Sequence, residues 1–289
     1  MATQAKKSSG LGITYGSDPE LMLYDLERKK MVSAIFLLKN DKHSPLDLGD
    51  GIKLYADNVM AEFAFPVYNY RTELVNAFTT GLRRAQKLIG PRYRFVAKAA
   101  HEFDDEELDH PQAREAGCSP NFNAYTGKPN PPPKFTGGMR TGSFHIHVGS
   151  LMLQTKEEKD TMIMWMDVCV GASAALFDKD GTSSVRRTLY GKAGEFRPTP
   201  YGIEYRVLGP YALRSPERME FVLALMETAF THAQCGHGLP KIADTVRTIN
   251  ECDLNTASYI AERNISGSHW RSCHDLTPPD LYRDHGITP

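Results

Sequence analysis

Three pairs of residues and one isolated acid carry groups that could share a reaction centre. Asp18 and Glu20 are two apart, as are His145 and His147, and Glu204 and Arg206. Each pair lies in a stretch expected to be a strand, where side chains two apart point to one face. Glu62 stands in a stretch that is otherwise almost wholly apolar. Charged groups inside strands are costly unless paired, solvated or bound to an ion. Four segments repeating this feature predict a sheet with a polar, concave face. Carboxylates are hard donors for magnesium or manganese, and imidazole joins a manganese site. Arg140, Arg186, Arg187, Arg197 and Arg206 supply planar forks that match phosphate or carboxylate oxygens. Acids for a divalent metal beside arginines for phosphate are the kit of nucleotide-dependent phosphoryl transfer.

Singly, each residue has a plainer reading. A lone Glu in a strand is usually an edge residue facing water. His-x-His also occurs at solvated edges and in zinc hydrolases, and Arg186-Arg187 reads as a surface pair. Met162, Met164 and Met166 read as helix packing. Cys118 has no flanking base or oxyanion element and reads as structural. Only the joint occurrence on strands points to a site.

The elements that must position these groups follow from periodicity and punctuation. Residues 11–26 start extended, with Gly16 and Pro19 interrupting, and Pro19 limits that stretch to a sheet edge or strand start. Residues 34–38, 58–66, 93–100, 143–150 and 203–208 read as strands. Residues 70–89 have helical spacing, with Thr72 as N-cap and Gly90-Pro91 as stop. Residues 156–176, 215–234 and 240–263 read as helices, and Ser215-Pro216 is a cap followed by proline at the first helical position. Between 104 and 142 the chain is irregular, with Pro131 to Pro133, Gly137 and Gly138; a Pro/Gly-rich loop at about 123–142 is expected to be functional or mobile. Strands and helices mix without regular alternation, and the dinucleotide and phosphate-loop fingerprints are absent. This predicts an α+β fold with an antiparallel or mixed sheet.

Composition narrows the function classes. The 289 residues carry 34 Lys+Arg against 35 Asp+Glu, a net charge of -1. That leaves no cationic excess for binding nucleic acid by phosphate neutralisation, so no direct nucleic-acid partner is expected. Thirteen Phe and thirteen Tyr can build a core, which argues against disorder. No apolar run approaches the roughly 20 residues of a membrane helix. Residues 1–10 are polar and read as a disordered tail without a signal core, and residues 11–289 are expected to form a single domain. The five cysteines are odd in number, widely spaced and form no Cys-x-x-Cys pair, which fits a reducing cytoplasm.

Six stretches taken in order carry a family resemblance. They are GSDPELML (16–23), DNVMAEFAFP (57–66), AGCSPNFNA (116–124), RTGSFHIHVG (140–149), RRTLYGKAGEFR (186–197) and YGIEYRVLG (201–209). Together they resemble the phage-associated carboxylate–amine ligases, amidoligase type 2, of the glutamine synthetase / glutamate–cysteine ligase superfamily. The resemblance implies a curved, mostly antiparallel half-barrel sheet backed by helices, with ATP and magnesium on the concave face. It implies Glu20, with Asp18 beside it, Glu62, His145 and Glu204 as metal ligands, and His147 beside the nucleotide. Arg206 would lie on phosphate, and Arg187 and Arg197 on the γ-phosphate or the substrate carboxylate. Arg140 and Arg186 are further nucleotide-binding candidates. Many relatives carry Glu-x-Glu where this chain has Asp18-Pro19-Glu20.

The implied reaction is ATP- and Mg-dependent amide formation through an acyl phosphate, with manganese as an alternative ion. Arg187, Arg197 and Arg206 would stabilise the transferring phosphoryl group, and the loop from Asn123 to Gly138 would close over the intermediate. Partners would be small-molecule or peptide carboxylates and amines, with no membrane; homo-oligomerisation stays open. The location would be the cytoplasm, of the host if the protein is phage-encoded. Two other classes remain at this point. One is a zinc-dependent amidase or hydrolase using His145 and His147. The other is a non-catalytic binder on a ligase fold.

Overall fold

The computed structural model describes residues 11–114, 121–131 and 137–265. The tail 1–10, Cys118, Cys273 and part of the Pro/Gly-rich loop lie outside the described residues. The strands are β1 (Ile13–Asp25), β2 (Lys30–Val32), β3 (Leu46–Gly49), β4 (Ile52–Asp57), β5 (Met60–Ala64), β6 (Tyr93–Val96), β7 (Ala100–Glu102), β8 (Phe122–Asn123), β9 (Lys128–Pro129), β10 (Met139–Thr141), β11 (Ser143–Ser150), β12 (Glu195–Thr199) and β13 (Gly202–Tyr205). The helices are α1 (Ala34–Leu38), α2 (Arg71–Ile89), α3 (Pro111–Arg114), α4 (Lys156–Met166), α5 (Ala172–Phe177), α6 (Ser183–Leu189), α7 (Pro216–Gln234), α8 (Ile242–Glu251) and α9 (Leu254–Asn264).

The expected α+β architecture is present. Its main sheet is antiparallel, curved and open, in the order β3-β4-β5-β1-β11-β13-β12-β8-β9, with β2 and β6 pairing the far half of β1. Alternation sorts the two faces. Phe144, Ile146 and Val148 of β11 and Ile203 and Tyr205 of β13 are buried in the core. Ser143, His145, His147 and Glu204 occupy the alternate positions. Tyr15 on β1 donates to Glu227 of α7 over 2.6 Å, which fixes α7 behind the sheet.

Helix ends follow their capping chemistry. Thr155 and Glu158 form a capping box on α4, with Glu158 N–H donating to Thr155 Oγ1 and Thr155 N–H to Glu158 Oε2. Ser215 Oγ accepts the N–H of Arg218 at the start of α7. Through a π-helical turn, Asp167–Gly171, α4 runs on into α5. The combined helix 156–177 is long and apolar enough to cross a membrane, but 78% of its apolar window is buried inside the fold.

Several local expectations are corrected. Residues 34–38 form a short helix, ended by Lys39 in the left-handed region, rather than a strand. The N-cap of α2 is Tyr70, not Thr72, and Glu73 accepts the N–H groups of Asn69 and Tyr70. The expected helix 240–263 is two helices, because Cys252 adopts φ 55° between α8 and α9. Pro19 sits in central β1, not at an edge. The sheet tolerates it because β1 pairs with β5 only through Glu20 and Leu21, so the missing N–H falls where that ladder has ended.

Candidate functional site

Strand register builds the site. Across one level of the sheet, Tyr55 pairs with Glu62, Glu62 with Glu20, and Glu20 with Ser143. One step along, Asp18 pairs with His145. A further step aligns Gly16, His147, Glu204 and Arg197. A Cβ at Gly16 would sit 3.2 Å from the His147 Cβ, so any larger residue there would push the imidazole by a few tenths of an ångström.

The acids gather into two trios. Asp18, His147 and Glu204 offer ligand atoms all within 4.8 Å of one another, and so do Glu20, Asp57 and Glu62. In the first trio His147 Nε2 is 3.0 Å from Asp18 Oδ1, and Tyr201 Oη is 3.0 Å from His147 Nδ1. His145 lies deeper, with Nδ1 3.3 Å from the same Asp18 oxygen and 3.7 Å from Glu204 Oε1. Glu204 is gripped from both sides. Arg197 Nη1 donates to its Oε2 over 2.9 Å, and Arg206 Nε lies 3.1 Å from its Oε1. In the second trio Tyr55 Oη donates to Glu62 Oε1 over 2.6 Å. Asp18 keeps 19% and His147 22% of their side-chain surface open to solvent, so a ligand can reach them.

The two trios differ electrostatically. Burial pushes the Asp18 carboxyl up, but the charges of His147 and His145 and their hydrogen bonds outweigh it and hold it well below the usual range. Burial lowers His147, and Asp18 more than compensates, so its imidazole is raised. Glu62 is raised well above the usual range by burial and then by Asp18, Glu20 and Asp57. Glu20 is raised by burial, with Asp57 and Asp18 adding to the effect. Three crowded oxygen donors suit a hard divalent cation, and the mixed imidazole–carboxylate trio also suits manganese. The donor sets therefore fit the implied ions.

The structure sorts the remaining sequence candidates. Arg197 and Arg206 are at the site, and Arg206 Nη1 also donates to Asn121 Oδ1. Arg186 is buried, and its guanidinium donates to Gly142 O, Val207 O and Ser143 Oγ. Arg187 donates to the carbonyls of Gly191 and Val207. Arg140 stands on a separate two-stranded sheet and donates to Asn58 Oδ1, Met139 O and Ala113 O. These three arginines brace backbone instead of facing the trios. The trio also takes His147, where the resemblance assigns the ligand role to His145. Sequence reasoning passed over Asp57, Tyr55, Tyr201 and Asn121. The signal for Tyr55 and Asp57 is their two-residue spacing in the strand that makes a tight hairpin with the Glu62 strand.

A curved open antiparallel sheet with helices behind it, carrying acids, imidazoles and arginines on its free face, defines an α+β protein with two clusters of possible metal-ligand atoms. Residues 133–278 match the family model for phage phiEco32-like COOH.NH2 ligase-type 2, and the chain belongs to that family of amide-forming ligases. The match contains β11, β12 and β13; β1 and β5, which carry Asp18, Glu20 and Glu62, precede it. No curated protein matches the chain.

Proposed function

We propose that the protein is an ATP- and divalent-metal-dependent carboxylate–amine ligase that works through an acyl phosphate. The observation that carries this reading is Glu204, which closes one ligand trio while two arginines hold its oxygens. Asp18, His147 and Glu204 would hold one ion, and Glu20, Asp57 and Glu62 another, with magnesium the expected metal and manganese tolerated. Bound there, the ions would supply charge neutralisation for the phosphates. Carboxylate oxygen is a poor leaving group; phosphorylation by ATP makes it one that a substrate amine can displace. Arg197 keeps 34% of its side-chain surface open, so its free donors can meet the transferring phosphoryl group. Arg206, held by Glu204 and Asn121, fixes the Glu204 carboxylate and adds positive charge beneath it. Tyr201 orients His147 through its second ring nitrogen, as an outer partner orients a metal-binding imidazole. Residues 11–289 would act as one catalytic unit. An all-carboxylate second trio favours this reading over a zinc hydrolase, for which imidazole and thiolate ligands are more usual.

Calorimetry with ADP and magnesium tests the assignment. Wild-type protein should bind the nucleotide only with the metal present, and Glu62→Ala and Glu204→Ala should each weaken binding at least tenfold. Unchanged affinity in both variants would show that the trios do not hold the metal–nucleotide complex. ADP release over a panel of acids and amines then identifies the substrates.

A further inference from the structure

The C-terminal end of α7, behind the sheet, carries a second set of metal-ligating side chains in the order His232-x-x-Cys235-x-His237. α7 ends at Gln234, but the Cys235 N–H still donates to Thr231 O over 3.0 Å, so the helical path continues through Cys235. Residues three apart on a helix are neighbours on one face, which places Cys235 beside His232. Gly236 then turns the chain at φ 64°, and the His237 N–H donates back to His232 O over 3.3 Å. This turn brings the two imidazoles together, with their Nδ1 atoms 2.7 Å apart.

The His232 ring is fixed on both its face and its far edge. It stacks on Trp165 of α4, with centroids 4.5 Å apart and planes 14° from parallel. Its Nε2 lies 3.2 Å from Asn264 O at the end of α9. A carbonyl oxygen only accepts, so Nε2 carries the ring proton and neutral His232 turns the bare lone pair of Nδ1 toward His237. Metal-binding imidazoles are held in the same way, with the other ring nitrogen donating to a backbone carbonyl. Two facing Nδ1 atoms need either a shared proton or a metal ion between them. Two imidazoles with a thiolate beside them suit zinc. Zinc–nitrogen bonds of about 2.0–2.1 Å at a tetrahedral angle set the two nitrogens about 3.3 Å apart, so the rings need open by only about 0.6 Å. Gly236 and Gly238, on either side of His237, face open space and leave room for that movement. Cys235 and His237 are exposed, so an ion reaches them directly from solvent.

We propose that His232, Cys235 and His237 form a zinc site at the end of α7, separate from the carboxylate trios of the sheet face. His232 and His237 supply Nδ1, Cys235 supplies its thiolate, and water fills the fourth position. Zinc there ties the turn after α7 to the helix and, through His232 and Asn264, to the end of α9.

Titration of the reduced, metal-free full chain with cobalt, a spectroscopic substitute for zinc, tests the site. A thiolate ligand gives cobalt a charge-transfer band that carboxylate and imidazole ligands do not. The carboxylate trios contain no sulfur, so the band cannot come from the sheet face. Wild type should develop the band, and added zinc should bleach it. Cys235→Ser should abolish it, and His237→Gln should weaken cobalt affinity, read from the band, at least about tenfold. Both side chains are exposed, so both variants should keep the wild-type Tm in metal-free buffer. No band in wild type overturns the proposal. A band that survives Cys235→Ser also overturns it, because the ion then sits on another cysteine. Unchanged affinity in His237→Gln does the same, because the two imidazoles then share only a proton.

Discussion

Replacing Asp167 by asparagine should change how stability depends on pH, by an amount the structure sets. The carboxyl is fully buried in the π-helical turn behind the sheet. It accepts hydrogen bonds from Tyr205 Oη at 2.7 Å, Tyr125 Oη at 2.9 Å and Gly194 N at 2.6 Å. Burial pushes it up to about 7, against the pull of those three donors and of Arg187. An acid whose pKa rises on folding holds its proton more tightly in the folded state. Its contribution is therefore fully present below the unfolded value near 3.8 and is lost as pH climbs to about 7. Integrated over that window the loss is about 4 kcal/mol, of which about 2–3 kcal/mol falls between pH 5 and pH 8. Asparagine does not titrate; its oxygen can keep the bonds from Gly194 N–H and Tyr125 Oη, while its NH2 faces the Tyr205 hydroxyl, which must turn to accept, a cost of about 1 kcal/mol at every pH. The variant should be less stable than wild type at pH 5, and the gap should close or reverse by pH 8. Urea unfolding at pH 5, 6, 7 and 8 with equal m values reads this directly. A difference that stays constant across the four pH values would refute the reasoning, because it would mean that the three donors keep the carboxylate ionised throughout.

Two further outcomes are expected. Tyr55→Phe removes the donor that orients Glu62 and should weaken metal affinity about 10–100-fold with little change in Tm, measured by calorimetry with magnesium or manganese. Gly202→Ala places a Cβ 2.1 Å from Val148 O at φ 152° and should destabilise the protein by at least about 2 kcal/mol in urea, with tolerance of alanine showing that the β12–β13 turn is not constrained as described.

Much of the sheet face was legible in the sequence because a strand's period is two. Within a strand it puts Asp18 with Glu20 and His145 with His147 on one face, and the register then joins them to Glu62 and Glu204. Arginines carry no such signal. Arg186 and Arg197 look alike in sequence, yet the first donates to backbone carbonyls and the second to a site carboxylate. Whether a guanidinium serves ligand or backbone depends on which carbonyls the chain leaves unpaired, and that is settled only by tertiary packing. Asp57 and Tyr55 were hidden because their relevance requires the β4–β5 register and not their own neighbours. The break at Cys252 was hidden because no Gly or Pro marks it, and the choice between His145 and His147 because both share one face.

A balanced net charge of -1 conceals an uneven division within the site. Asp18 and Glu204 meet their cations inside the fold, through His147, His145, Arg197 and Arg206. Glu20, Asp57 and Glu62 form no ion pair among the described residues, and Glu20 and Glu62 are raised by burial and by their neighbours' charge. Three acids gathered in this way oppose folding, and a stable hydrophobic replacement would cost nothing of the sheet's hydrogen bonding. Tyr55 nonetheless holds Glu62 in place, and β4, β5 and β1 are registered so that the three carboxylates converge. Protein cations thus fix the geometry of the first trio before anything binds. The second trio has no such ion pairs, so its charge is relieved by proton uptake or by a bound cation, and under the proposed function cation loading there should stabilise the fold most strongly.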